Sequence, residues 1–376
     1  MFSTKYSERI NEEIFKECMA LREEGQHVVG TYCAFTPKEI IVAGGGIPVS
    51  LCAGSYESAK KSEIDLPRNL CDLIKSSYGH GIADTCPYFH YSEHIIADAT
   101  CDGKKKMFEL LADIKPVHVL YLPNTCSREE DYQYFENEIE KMKAYVESIT
   151  DTEITDAMIN ATIKQYNQLR KAMYRLQYLN SEETPLLTGH EMNNIRGAIS
   201  FECNIPKRVQ EIELAIEALE KRREDPVFIS TMKNKPRILL TGCPTTHSKL
   251  VDIIEEKGAV IVAMENCGGL KTADLVEEDT PSPLKALAKK YLSVACPCIT
   301  PNTHRLDLLN QLVDDFKVDG VIELTWHACH TYNVEATLVS RTMSKRNTPY
   351  LQVTTDYSPG DVGQIATRVE AFLEMI

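Results

Sequence analysis

Apolar and polar positions along this chain follow two rhythms. In the first, a short β-branched run gives way to a break rich in Cys, Gly, Pro or Thr, and then to a stretch with helical spacing. "HVVGTYCAFTPKEIIVAGGG" reads as a strand ending at Cys33 and a helix opening near Pro37, and "IPVSLCAG" as a strand ending at Cys52. "HIIADATCDGKKKMFELLADIKP" predicts a strand to Thr100, Cys101 at its end, and a helix from about Gly103 to Asp113; "VHVLYLPNTC" is the next strand. Continuous apolar strands alternating with helices imply a parallel sheet covered on both faces.

The second rhythm fills residues from about 128 to 232 with long, charged segments of 3.6-residue period, in which Ile154, Met158, Ile159, Ile163, Tyr166 and Leu169 share one face. This predicts a helical insert whose charged residues form a solvated face without chemistry. The strand and helix rhythm then returns in "RILLTGCPTTHSKLVDIIEEKG", "AVIVAMENCGG", "YLSVACPCITP", "DGVIELTWHACHTYNVEATLVSR" and "PYLQVTTDYS", each read as a strand with its break. The expected fold class is α/β, with two doubly wound, Rossmann-like parallel-sheet domains at 1–127 and 236–376 and a helical insert at 128–235.

Composition narrows the function. The 376 residues are 43% apolar and 26% charged, as in a folded protein. No stretch approaches the roughly 18 to 20 apolar residues of a membrane span, and the N-terminus lacks the apolar core of a secretion signal, so a cytoplasmic location is expected. With 55 acidic against 41 basic side chains, the net charge of -14 argues against nucleic-acid and membrane partners and for proteins and small molecules. There is no GxxxxGK[ST] loop, and "AGGGIP" reads as a turn, so ATP hydrolysis is expected only on a partner.

Thirteen cysteines are many for a reducing compartment, where structural disulfides are not maintained. Any one of them can serve as a small hydrophobe, as Cys18 and Cys203 are expected to do. Position sets the others apart. Cys33, Cys52, Cys101, Cys126, Cys243, Cys267 and Cys329, with Cys296 and Cys298, fall near the carboxyl ends of predicted strands, the edge at which open parallel sheets bind ligands. Neither paired zinc-ribbon CxxC motifs nor a ferredoxin CxxCxxC run is present. Widely spaced thiols such as Cys71, Cys86 and Cys101, the "CPC" pair Cys296 and Cys298, and Cys329 in "WHACH" suit an iron–sulfur cluster in a cleft between domains. Lys104 to Lys106 and the helix start would help keep Cys101 ionised.

The segments "GTYCAFTPKEIIVAGG", "DLPRNLCDLIKSSYG", "TCPYFHYSEHIIADATCDGKKKMFELLADIKPVHVLYLPN", "ACPCITPNTHRL", "WHACHTYNVE" and "PYLQVTTDYSPGDVGQIATRVEAFLEM" resemble the 2-hydroxyacyl-CoA dehydratase and benzoyl-CoA reductase subunit superfamily over nearly the whole chain. Within it, "LCDLIKSSYG" with "CPYF" and "CPC" is similar to the double-cubane cluster proteins. The resemblance implies a homodimeric reductase component with two [4Fe-4S] cubanes joined by a shared sulfide. It further implies low-potential electrons from a separate ATP-hydrolysing iron–sulfur activator, and reduction of small unsaturated molecules such as acetylene. The superfamily's three recurrent cluster cysteines match Cys71, Cys101 and Cys329. An [8Fe-9S] group leaves six irons for thiolates. The expected ligands are Cys71, Cys86, Cys101, Cys296, Cys298 and Cys329, with Cys33 and Cys267 in reserve; the tight CxC spacing leaves packing as the alternative role for one of Cys296 and Cys298.

Proton donors are expected among His327 and His330 around Cys329, with Glu265 beside Cys267; His80, His90 and His94 are further candidates, and a plain surface or core role is the alternative for each. Tyr357 and Ser358 are candidates to line the cleft, and Trp326 is expected to pack. Two other functions stay open: a 2-hydroxyacyl-CoA dehydratase subunit with a single [4Fe-4S] cluster, and a non-catalytic electron-storage protein. An α/β binding protein with idle thiols is the plainest case.

Overall fold

The computed structural model describes residues 4–199 and 203–376. The first sheet contains β1 (Val28–Tyr32), β2 (Ile47–Ser50), β3 (His94–Asp98) and β4 (Val117–Leu120), all parallel, in the order β2-β1-β3-β4. The second contains β5 (Arg237–Gly242), β6 (Val260–Glu265), β7 (Gly320–Trp326) and β8 (Tyr350–Thr355), also parallel, in the equivalent order β6-β5-β7-β8. β1, β6 and β7 are buried along their whole length, which is why their sequences run apolar without alternation. The two-domain α/β expectation therefore holds.

Helix α1 (Thr4–Glu23) precedes the first sheet, and α2 (Lys38–Ala43), α3 (Tyr56–Lys61), α4 (Asp72–Ala83), α5 (Pro87–Tyr91) and α6 (Asp102–Leu111) lie between its strands. The insert holds α7 (Glu129–Thr150), α8 (Asp156–Tyr178), α9 (Gly189–Ile199), α10 (Ile205–Glu220) and α11 (Pro226–Met232). The second sheet is accompanied by α12 (Lys249–Glu256), α13 (Pro283–Leu292), α14 (Thr303–Asp315), α15 (His330–Lys345) and α16 (Val362–Leu373). Local signals set many of the starts. Thr155 caps α8 by accepting the Met158 N–H, and Asp225 before Pro226 caps α11 by accepting the Val227 and Phe228 N–H groups. The apolar stripe expected on α8 is buried at Ile159, Ile163, Tyr166 and Leu169.

One expected strand is absent. "YLSVACPCITP" begins as the last turn of α13 and continues as a loop through Cys296 and Cys298. Pro283 opens a run of Leu, Ala and Lys, all good helix formers except the proline itself, which suits the first turn. Tertiary packing completes the helix: Leu287, Tyr291 and Leu292 share a core cluster with Phe135, Ile139 and Met142 of α7 and with Val29 of β1. Helix α13 therefore leans on the first half of the molecule and brings the CxC loop to the gap between the sheets. A second apolar cluster spans that gap directly, from Ile95 and Met107 to Ile238 and Ile322. Among the described residues, no helix is long and apolar enough to cross a membrane.

Candidate metal centre

In each sheet the strand order reverses between its first and third strands, which opens a crevice at their carboxyl ends. Cys33 follows β1 directly and Cys101 lies three residues beyond Asp98 of β3; Cys243 follows β5 directly and Cys329 lies three residues beyond Trp326 of β7. Cys52 and Cys267 stand two residues past β2 and β6. The repeated topology thus places three matched pairs of thiols at two facing edges.

The backbone at these turns is specialised. Cys33 has a left-handed φ of 70° and Ala328, just before Cys329, one of 58°. Such conformations are strained for residues with a Cβ and recur at functional sites. Gly242 has φ +103°, and a Cβ there would come within 2.2 Å of the Leu324 carbonyl oxygen, so only glycine lets β5 turn into Cys243.

Cys71, Cys101 and Cys329 stand at the N-caps of α4, α6 and α15, and Cys86 at that of the short α5. None closes a capping hydrogen bond, yet backbone N–H groups of the first turn favour the thiolate at each: Ile74 and Leu73 at Cys71, Phe89 and Tyr88 at Cys86, Lys104 and Gly103 at Cys101, and Tyr332 at Cys329. Burial opposes this and leaves Cys86 and Cys101 raised. At Cys329 the balance reverses. Hydrogen bonds from Cys243 and Cys71 hold it far below the ordinary thiol range, while Cys71 and Cys243 are pushed up by sharing with it and by burial.

These helix starts and strand ends enclose one cavity of about 1060 Å³, whose wall carries ten thiols. They fall into two groups by the charges that bear on each. Cys71, Cys243 and Cys329 share protons, with Cys101 in the field of Cys329. Cys296 and Cys298 share a proton that holds Cys296 low; Cys298 feels Cys33, and Cys267 feels Cys296 and Cys52. Cys86 stands apart from both, set mainly by burial and the backbone of α5. All six cysteines expected as ligands line the cavity, as do the reserves Cys33 and Cys267, together with Cys52 and Cys243. Cys126 is not among the lining residues and packs against the first core cluster.

The other expectations separate by position. His330 lines the cavity at the start of α15. The His327 side chain is 58% exposed and lies 3.8 Å from Asp72. Glu265 is fully buried outside the lining, 3.0 Å from Lys271 and 3.3 Å from Arg305, and accepts from Thr241. His80 bonds Ser58 and Thr85, His90 pairs with Asp84 and His94 bonds Tyr145, none of them at the cavity. Tyr357 is buried against Trp326 at 4.4 Å between centroids, and Trp326 both packs there and borders the cavity.

Two features of the site go beyond the sequence reading. Lys104 bears on Cys101 as expected, but it is buried and its hydrogen bond goes to the Cys33 sulfur. Helix α8 is more than a solvated face, since Tyr166, Leu169, Arg170, Met173, Tyr174 and Gln177 present three turns of the insert to the cavity. Arg170 is held there by Glu39 of α2 at 2.5 Å. Of those six positions, Tyr166 and Leu169 belong to the helical stripe read from the sequence; the other four, with Arg170 reaching a carboxylate in a distant helix, do not.

Comparison with known proteins agrees with this architecture. The family profile described as "2-hydroxyglutaryl-CoA dehydratase, D-component" matches residues 33–376. The chain is 40% identical over 365 residues to the Escherichia coli (strain K12) protein named "Putative dehydratase subunit YjiM", covering 96% of this chain and 94% of that one. It is 21% identical to the (R)-phenyllactyl-CoA dehydratase beta subunit of Clostridium sporogenes, over 95% of this chain and 93% of that one. It is 22% identical to the (R)-2-hydroxyglutaryl-CoA dehydratase subunit beta of Acidaminococcus fermentans, over 94% of each chain. The chain therefore belongs to the 2-hydroxyglutaryl-CoA dehydratase D-component family, and so to the 2-hydroxyacyl-CoA dehydratase superfamily that its cysteine-bearing segments resemble.

Proposed function

We propose that this protein is an iron–sulfur reductase component whose interdomain cavity holds a double-cubane [8Fe-9S] cluster. On this reading a separate ATP-hydrolysing iron–sulfur activator supplies electrons, and small unsaturated molecules are reduced. The observation that carries it is the ten thiols on the wall of one cavity, brought there from the strand ends of both sheets, where a single cubane needs only about three or four. The donor set fits such a group better than a lone ion: among the described residues, no three His, Cys, Asp or Glu side chains close around one metal site, whereas soft thiols surround a cavity of about 1060 Å³. Cys71, Cys101 and Cys329 would hold one cubane. Three of Cys33, Cys267, Cys296 and Cys298 would hold the other; the field of Cys296 at Cys267, and of Cys33 at Cys298, supports these reserves over Cys86. When bound, the cluster supplies low-potential electrons to the substrate.

The chain's own residues would then do three things. Helix N-termini at Cys71, Cys101 and Cys329 stabilise thiolate charge in a buried site. The face of α8 walls the cavity and limits water beside the reacting molecule. The His330 ring can carry a proton from solvent to the cavity, since it is exposed at its outer side and lines the wall.

The names of the relatives favour a second reading, a dehydratase subunit with one cubane. Anaerobic purification with iron and acid-labile sulfide analysis separates the two. About eight irons per chain, with acetylene reduction dependent on both ATP and the activator, is the expected result; about four irons supports the dehydratase reading. A colourless, iron-free chain overturns both.

A further inference from the structure

We infer that two buried lysines make the two cluster seats unequal, so that the seat built from Cys33, Cys52, Cys267, Cys296 and Cys298 takes electrons more readily than the seat built from Cys71, Cys101, Cys243 and Cys329. This rests on the double-cluster reading above and adds a direction to it. Lys104 is 6% exposed, and its ammonium donates to the Cys33 sulfur and bears also on Cys52. Lys271 is 1% exposed and is the leading cation at both Cys267 and Cys296. Two buried ammonium groups thus bear on the second seat from opposite sheets, one on α6 in contact with Cys33 and one behind the cavity wall, four residues past Cys267 and bonded to the wall residue Tyr332.

The surrounding charges do not cancel this arrangement. Two carboxyl groups act against the lysines and each is held by other partners: Asp98, which bears on Cys33 and Cys298, accepts from the Phe35 N–H and Thr36 hydroxyl, and Glu335, which bears on Cys296, is paired with Arg305. Lys271 donates to the Tyr332 hydroxyl at 2.6 Å and lies 3.0 Å from Glu265, but Glu265 is shared with Arg305, which also meets Glu323 and Glu335. At the first seat the position is different. The groups bearing on Cys71 and Cys243 are chiefly other thiols and backbone, and the buried Lys75 of α4 is held between Asp72 at 2.8 Å and Glu63 at 3.7 Å. Lys104 reaches one member of this seat, Cys101, but its hydrogen bond goes to Cys33, on which it bears more strongly.

A fixed positive charge in a poorly screened site stabilises an added electron, because the reduced cluster is the more negative form. Hydrogen bonds to cluster sulfurs act in the same direction. In a titration each step adds one electron from the reductant and breaks no bond, so the midpoint potential reads this effect directly.

The test is an EPR-monitored titration of the anaerobically purified full chain with a titanium(III) reductant, alongside iron analysis. The unaltered chain should show two separated midpoints. Lys104→Met should keep its iron and lower the upper midpoint more than the lower, narrowing the gap. Lys104→Arg should restore most of it. Lys104→Gln keeps an N–H donor without charge and should behave as the methionine variant does if that variant loads poorly. Lys16→Met, on α1 and exposed away from the cavity, should move neither midpoint. With about eight irons retained, an unmoved upper midpoint, or a larger shift of the lower one, overturns the inference alone. An unaltered chain with about four irons and a single midpoint overturns the double-cluster reading and this inference with it.

Discussion

At the end of β3 the chain places Asp98, and at the matching end of β7 it places Trp326; in each half a cysteine follows three residues later and stands at the N-cap position of the next helix. Both residues tie the third strand to the loop after the first. Asp98 accepts from the Phe35 N–H at 2.6 Å and the Thr36 hydroxyl at 2.5 Å, whereas Trp326 donates its indole N–H to the Pro244 carbonyl at 3.0 Å and packs on Tyr357. The thiol positions thus come from the repeated strand order, while the clamp that holds each crevice is free to be ionic or aromatic. What differs is the response to conditions: a buried carboxyl titrates and an indole does not.

The largest effect expected from breaking this pairing is on metal content. Cys101→Ser and Cys329→Ser occupy equivalent positions, and each should lose about half or more of the iron measured in the unaltered chain after anaerobic purification, since each removes a ligand proposed for the same cubane. Cys126→Ser, beyond β4 and off the cavity wall, should keep it all. If Cys329→Ser loses iron and Cys101→Ser does not, the two edges are alike in topology only.

A second, smaller effect distinguishes the clamps by pH. Burial pushes the Asp98 carboxyl up to about 7, against 3.8 in a solvated chain. Between those values the folded protein keeps a proton that the unfolded chain has released, so this residue's contribution is fully present below about pH 4 and is lost as pH rises toward 7. The difference corresponds to a loss on the order of 4 kcal/mol across that window. Asp98→Asn removes the titration. Urea unfolding of both proteins at pH 4.5 and 7 should show the variant gaining relative to the unaltered chain as pH rises; parallel pH profiles would mean that Asp98 is charged throughout.

These clamps were only partly legible in the sequence. Eight strands were readable from β-branched runs and their breaks, because buried parallel strands need no alternation and leave a plain apolar signal. The segment around Cys296 failed for the same reason, since a helix tail followed by Val294, Ala295 and Ile299 mimics that signal, and contacts with α7 decide the outcome. The thiols could be placed at sheet edges because position along a strand is a local property. Which thiols meet across the gap is not: Cys71 pairing with Cys329, or Cys33 bearing on Cys298, depends on how the two sheets face one another. The Arg305 network, linking Glu265, Glu323 and Glu335 from three elements of the second half, was silent because its members are far apart in sequence and meet only through packing.

The smallest expected effect lies at Trp326, the only tryptophan in the chain. Trp326→Phe keeps an aromatic ring against Tyr357 but removes the indole donor to the Pro244 carbonyl, which still accepts the Thr246 N–H, at a cost of about 0.5–1.5 kcal/mol for one lost hydrogen bond. No charge is involved, so the loss should be the same at pH 4.5 and at pH 7, unlike the change produced by Asp98→Asn. The Cys243 sulfur, which accepts the Trp326 backbone N–H at 3.5 Å, keeps that contact in the variant, and iron content should therefore stay near that of the unaltered chain. A pH-dependent loss, or iron lost along with stability, would mean that the aromatic clamp holds the thiols in place and does not merely close the crevice beside them.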